Sequence, residues 1–103
     1  MKKNYEYIKR LKLSIQSALL GAVSENMRSI AVDICGNKIF LYFFIDGEIQ
    51  DDDKENISII ETEVIADFEE YFDIETIIKR VDFPEPIILE RGHSVFQRKE
   101  NPL

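Results

Sequence analysis

The residues that most often carry catalysis and metal binding are scarce in this chain of 103 residues. It has one histidine, His93, one cysteine, Cys35, no tryptophan, and four glycines that do not cluster. A zinc site needs three or four nitrogen or sulfur ligands, which two residues cannot supply. A phosphate-binding loop needs grouped glycines ahead of a helix. The sequence therefore predicts a protein without a metal, a cofactor or a catalytic site.

Long apolar segments are also missing. The longest uninterrupted apolar run is the seven residues 39–45, whereas a helix needs about 20 residues to cross a bilayer. The first residues are too charged to provide the apolar core of a signal peptide. The single cysteine excludes an internal disulfide and fits a reducing compartment. We therefore expect a cytoplasmic protein that makes no membrane contact.

Charge is present in excess but is unevenly distributed. The net charge is −7, and residues 46–75 contain thirteen acidic residues against one basic residue, Lys54. Residues 1–12 are basic by contrast. Phosphate binding requires a broad basic face, so this distribution argues against direct contact with nucleic acid. It favours a basic protein partner. The alternative is that the acidic residues form a solvated helix face that maintains solubility.

Periodicity predicts a single α+β domain that spans residues 1–103. Apolar residues recur every three or four positions in residues 4–20 and again from residue 51 or 53 to residue 71, which is typical of helices. Alternating or continuous apolar residues predict strands at 28–35, 39–45, 75–83 and 94–100. The order α-β-β-α-β-β favours a two-layer sandwich, in which two helices cover one face of a four-stranded, mainly antiparallel sheet.

Two details of this sheet can be predicted. Gly36 and Asn37 separate the first two strands, and glycine in the first position suits a type II′ turn. The apolar residues of the second strand, 39–45, point to both sides, so a central strand is expected. The sheet face without helices would then need a cover or a ligand.

The second helix supplies the candidate site. Its acidic residues and one outward isoleucine form a possible docking surface, in which the isoleucine is either an interface anchor or an ordinary exposed residue. Asp51–Asp53 also lie at the predicted start of the helix, where negatively charged side chains stabilise it. A structural role is therefore an alternative for these three residues. The residues predicted to bind a partner are Asp51, Asp52, Asp53, Glu55, Ile59, Glu63, Asp67, Glu69 and Glu70.

Four segments resemble a family of small bacterial proteins: residues 15–21 (IQSALLG), 43–49 (FFIDGEI), 62–68 (TEVIADF) and 98–100 (RKE). This family comprises the immunity proteins of contact-dependent growth inhibition and related polymorphic toxin systems. The resemblance extends over nearly the whole chain. It implies a protein that binds and neutralises one cognate toxin domain, usually a nuclease, inside the producing cell. The resemblance does not identify binding residues in this chain, because the interface differs from one pair of immunity protein and toxin to the next.

Two other functions stay open from the sequence. The chain could be a homo-oligomeric structural or adaptor domain that uses the uncovered sheet face or an edge strand. It could also be an enzyme with an unrecognised carboxylate site, which would require a deep polar cleft. A calcium loop is disfavoured, because residues 51–55 lack the alternating acidic spacing and the glycine of such loops.

Overall fold

The computed structural model describes residues 2–101 and contains two helices and four strands. They are α1 (Lys2–Leu19), β1 (Met27–Cys35), β2 (Lys38–Ile45), α2 (Asp51–Ala66), β3 (Asp73–Arg80) and β4 (His93–Gln97). The strands form one sheet in the order β3-β2-β1-β4. The pairs β1–β2 and β1–β4 are antiparallel, and β2–β3 is parallel because α2 provides the crossover between them. The predicted α+β class, element order and mainly antiparallel sheet are confirmed.

The core lies between the sheet and the two helices. Ile30, Val32, Leu41 and Phe43 point from the central strands toward the helices and are fully buried. The helices meet them with apolar stripes, as their periodicity predicts. The buried apolar residues of the helices are Leu11, Ile15, Ala18 and Leu19 of α1 and Ile57, Ile60 and Val64 of α2.

Some element boundaries differ from the predicted ones. The second helix ends at Ala66 rather than residue 71, although the apolar spacing continues because Phe68 and Phe72 enter the core from the turns that follow. The third strand occupies 73–80 rather than 75–83, and the fourth 93–97 rather than 94–100. Tyr5, which fits the apolar period of the first helix, is 66% exposed. The spacing of apolar residues indicates which side chains are buried. It does not indicate where the backbone hydrogen bonds of a helix or strand end.

The turn between β1 and β2 has the predicted geometry. Gly36 has φ +60°, and no residue other than glycine has a positive φ within the described part of the chain. A positive φ at the first central position followed by a negative one is what a type II′ turn requires. The tight turn fixes the β1–β2 register, in which Cys35 pairs with Lys38.

The sheet face opposite the helices is covered by the chain itself. Because β3 and β4 lie at opposite edges of the sheet, residues 81–92 must cross from one edge to the other. This crossover places Ile87 and Leu89 over Ser29, and Ile88 and Leu89 beside Tyr42 and Phe44. Ser29 and Phe44 are buried on this face. The cover that the sequence required is therefore a connection within the chain.

One buried arginine holds the crossover in place. Arg28 is only 5% exposed. Its Nη1 donates to the backbone oxygens of Val81 and Glu85, both at 2.8 Å, and its guanidinium lies over the Phe83 ring. Its Nε and Nη2 donate to both carboxylate oxygens of Glu100, at 2.8 and 2.9 Å. Arg28 thus joins β1, the crossover and the C-terminal segment.

A second arginine extends this cluster. Arg98 Nη2 donates to Asp46 Oδ2 and to Glu100 Oε2, both at 2.9 Å, and its Nη1 donates to the backbone oxygen of Glu25. Hydrogen bonds from Arg28, with help from Arg98, lower the pKa of Glu100. A charge-assisted, bidentate arrangement of this kind is stronger than an ordinary neutral hydrogen bond.

We expect Arg28→Met to lower the free energy of unfolding by about 3 kcal/mol, because it removes the buried guanidinium that the Val81 and Glu85 carbonyl oxygens and the Glu100 carboxylate share. Urea unfolding followed by circular dichroism measures the change. Arg91→Met is the control: Arg91 is 67% exposed and 3.9 Å from Asp33, so its loss should cost less than about 1 kcal/mol. Equal effects of the two substitutions would contradict the anchoring role of Arg28.

The same cluster predicts a pH dependence. Because the folded state lowers the pKa of Glu100, its ionised form stabilises the fold above the unfolded value of about 4.3. This contribution is lost as the pH falls through the lower folded pKa. The stability difference between wild type and Glu100→Gln should therefore be largest near neutral pH and shrink toward about pH 3. A difference that stays constant over this range would contradict the assignment.

Candidate functional site

One side of α2 presents acidic residues to solvent. At about 100° per residue, Asp51, Asp52, Glu55, Ile59 and Glu63 fall within a sector of roughly 120°. All five are exposed, and the buried Ile57 and Val64 lie on the opposite side of the helix. We call these five residues the acidic face. Ile59, 49% exposed, is its one large apolar member.

The carboxylates of the acidic face are free to meet a partner. Among the described side chains, those of residues 5–101, none forms a hydrogen bond or ion pair with the side chains of Asp51, Asp52, Glu55 or Glu63. The only basic residue on this helix is Lys54, so the face keeps a strongly negative local charge. Unpaired exposed carboxylates retain their hydration and their long-range field, which acts on an approaching cation before contact.

Asp53 has a different role from its neighbours. Its side chain is only 3% exposed. Its carboxylate accepts hydrogen bonds from the Gln50 backbone N–H at 2.9 Å, from Asn26 Nδ2 at 2.6 Å and from Ser24 Oγ at 3.1 Å. It therefore caps the start of α2 and ties it to the turn before β1. The structure places Asp53 inside the fold, apart from the acidic face.

The acidic residues that follow α2 connect the two helices. Asp67 Oδ2 accepts a 2.6 Å hydrogen bond from Ser14 Oγ, and its backbone oxygen accepts one from Arg10. Glu69 forms an ion pair with Arg10, whose guanidinium also lies 4.5 Å from the centroid of the Phe68 ring. The hydrogen bond from Arg10 lowers the pKa of Glu69. Asp67 and Glu69 are exposed but already engaged, whereas Glu70 is exposed in the turn beyond them.

A tyrosine pair lies beside this junction. The hydroxyl groups of Tyr7 and Tyr71 are 3.2 Å apart, and Tyr71 is 56% exposed. This contact, together with the nearby Glu69 carboxylate, raises the pKa of Tyr71 to about 12. The Tyr71 hydroxyl group therefore stays protonated at neutral pH and can donate a hydrogen bond.

A shallow groove runs between the helices beside the acidic face. It has a volume of about 280 Å³ and is lined by Ser14, Ser17, Ala18, Glu63, Ala66 and Asp67. Two carboxylates and small side chains leave room for a long cationic side chain whose head group would meet Glu63 and Asp67. The groove thus continues the acidic face onto α1.

Two exposed leucines, Leu13 of α1 and Leu20 just after its last residue, lie near this groove and were not among the predicted site residues. Leu13 is 68% exposed and Leu20 is 81% exposed. They stand about one turn on either side of Ser17, which lines the groove. Both fall outside the apolar stripe of the helix, which is the signal in the sequence that could have identified them. Exposed apolar residues next to a charged rim are common at protein interfaces.

The groups that could support chemistry are not brought together. Cys35 is exposed at the end of β1, and His93 is exposed at the start of β4, where it pairs with Val32. In the part of the chain that the structure describes, no three His, Cys, Asp or Glu side chains approach closely enough to hold a metal ion. A cleft under the crossover contains Arg28, Arg98 and Glu100, but these charges bond to one another.

One known protein family matches most of the chain. Residues 8–100 match the family described as MafI2 immunity protein. The match covers most of the chain, and the chain therefore belongs to the MafI2 immunity protein family. The predicted membership in a polymorphic toxin immunity family is confirmed, and the family indicates a function in toxin immunity. No curated protein matches the chain. Neither α1 nor α2, as described, has the length and hydrophobicity of a membrane span.

Substitution of the buried Asp53 and of the exposed Asp52, both at the start of α2, should have different effects on stability. Asp53→Ala leaves Asn26 and a helix-start N–H without their acceptor, so it should cost about 1–3 kcal/mol of unfolding free energy. Asp52→Ala, at an exposed position without a bonded partner, should cost no more than about 0.5 kcal/mol. Thermal or urea unfolding measures both, and a larger loss for Asp52→Ala would contradict the capping role of Asp53.

Proposed function

We propose that this immunity protein neutralises its toxin by binding it through the acidic face and the adjoining interhelical groove. The observation that carries the proposal is the set of unpaired carboxylates, Asp51, Asp52, Glu55 and Glu63, grouped around the exposed Ile59 on one side of α2. Grouped charges of one sign speed association with an oppositely charged partner, and a central apolar residue supplies contact area once the partner has docked.

The toxin that best fits such a surface is a basic one, and a nuclease is the natural candidate. Enzymes that act on nucleic acid bind phosphates with lysine and arginine, so their substrate-binding surface is positively charged. The acidic face would occupy that surface and exclude the substrate. Glu70 extends the negative charge, and Asp67 and Glu69 contribute from the rim while they remain bonded to α1.

This function involves no turnover and no direct contact with nucleic acid. The protein would act in the cytoplasm of the producing cell, where the nucleic acid to be protected is found. The exposed free thiol of Cys35 fits a reducing compartment. Leu13 and Leu20 would add apolar contact where the toxin extends over α1.

The test uses the purified complex with the toxin domain whose toxicity the protein relieves in cells. The combined charge reversal Asp52→Lys, Glu55→Lys and Glu63→Lys should slow association by about tenfold or more, because steering accounts for factors of 10 to 1,000 in such rates. Stopped-flow or surface plasmon resonance measures the association rate. The wild-type rate should also fall as salt rises from about 0.01 to 0.1 M, which shortens the Debye length from about 30 to 10 Å.

The matched control carries charge reversals on the opposite side of the molecule. Glu85→Lys and Glu90→Lys change exposed residues of the crossover and should leave the association rate within about twofold. Circular dichroism confirms that each variant folds. If the α2 variant bound as fast as wild type, or if the crossover variant were the slower one, the acidic face would not be the binding surface.

A further inference from the structure

The strand β3 has an outer edge whose backbone groups are free for pairing. The ladder between β3 and β2 begins with the hydrogen bond from the Asp73 N–H to the Asn37 oxygen. It ends with the hydrogen bond from the Val81 N–H to the Ile45 oxygen. In a parallel pair, residues of one parity direct both backbone groups at the neighbour. The odd-numbered residues 73–81 therefore bond to β2, and Ile74, Thr76, Ile78 and Arg80 direct N–H and C=O groups outward. No backbone partner on the outer side engages these groups within residues 2–101.

The charges of β3 are segregated along the strand. Asp73 and Glu75 occupy its first half, and Lys79 and Arg80 occupy its last two positions, with the half-buried Ile77 between. All four charged residues are exposed. Charged residues on an edge strand often serve to prevent pairing. A strand protected in that way would present like charges to its own copy, and this one does the reverse.

We propose that two copies of this protein associate through antiparallel pairing of their β3 edges. With Ile77 opposite its own copy on the two-fold axis, Glu75 of each chain faces Lys79 of the other. The outward backbone groups of Thr76 then meet those of Ile78, and those of Ile74 meet those of Arg80. The charged pairs and the Ile77 pair fall at positions without hydrogen bonds, where facing side chains are closest.

Two alternative registers are disfavoured by charge. Moving the strands so that Glu75 or Lys79 meets its own copy places like charges opposite each other, which destabilises a sheet pair. The other edge strand, β4, has only five residues, and no acid and base that could pair across a two-fold axis. Glu75 also forms an ion pair with Lys38 at 2.9 Å, but both side chains are about half exposed, so the carboxylate can contact a second cation.

A charge-swap series on the 103-residue chain tests this pairing. Sedimentation equilibrium of wild type should show a dimer that dissociates on dilution. Lys79→Glu alone should weaken the dimer by at least tenfold in Kd, because it faces Glu75 of the other chain. The double variant Glu75→Lys with Lys79→Glu restores opposite charges at the facing positions and should recover the dimer to within a few-fold of wild type. Lys9→Glu, at an exposed position of α1, makes the same change in net charge as Lys79→Glu and serves as its control.

Cross-linking tests the register. In a Cys35→Ser background, Ile77→Cys should form a disulfide-linked dimer under mild oxidation, and Ser58→Cys on α2 should not. Adding Lys79→Glu should suppress the Ile77→Cys cross-link. A wild-type protein that stays monomeric at its highest soluble concentration would overturn the proposal. So would a dimer unaffected by the swap, or edge substitutions that change toxin binding in a protein that remains monomeric.

Discussion

The position of the two edge strands is the constraint on which the rest of the fold depends. Because β3 and β4 lie at opposite edges, the chain between them must traverse a whole face of the sheet, and it takes the face that the helices leave open. Such a connection contains no regular hydrogen bonding of its own. It is held by Arg28, which is almost fully buried and donates to two of its backbone oxygens and to Glu100. Two further hydrogen bonds, from the Gly47 N–H to Asp82 Oδ1 at 2.8 Å and from the Phe83 N–H to Asp46 Oδ1 at 3.1 Å, fix the first residues of the connection.

Because the crossover covers one face of the sheet and the helices cover the other, the outer side of the helical layer remains available for function. The inner sides of α1 and α2 are used by the core, and Asp53, Asp67 and Glu69 are used to fix the helices to neighbouring segments. Four carboxylates that remain unpaired, those of Asp51, Asp52, Glu55 and Glu63, lie together on the acidic face. A dense group of like charges costs some folded-state stability through self-repulsion. In the proposed function, faster association with the toxin offsets that cost.

The sequence predicts the architecture well, because buried apolar side chains recur at one spacing in a helix and at another in a strand. It predicts the acidic surface in outline for the same reason. It could not separate Asp53 from Asp51 and Asp52, since the difference lies in contacts with Ser24 and Asn26, far away in the chain. It gave no sign that residues 81–92 cover the sheet, because a proline-containing segment without period resembles any loop. The pairing of Arg28 with Glu100 joins residues 72 positions apart, which no local pattern encodes.

The central claim is that the toxin contacts the outward side of α2 and the groove beside it. Titration of the isotopically labelled protein with its toxin domain, followed by NMR amide and side-chain chemical shifts, tests this most directly. The account predicts the largest shift changes at Glu55, Ile59 and Glu63, with smaller ones at Ser17 and Leu20. Shift changes confined to the crossover or to β4, with the signals of α2 unmoved, would contradict it.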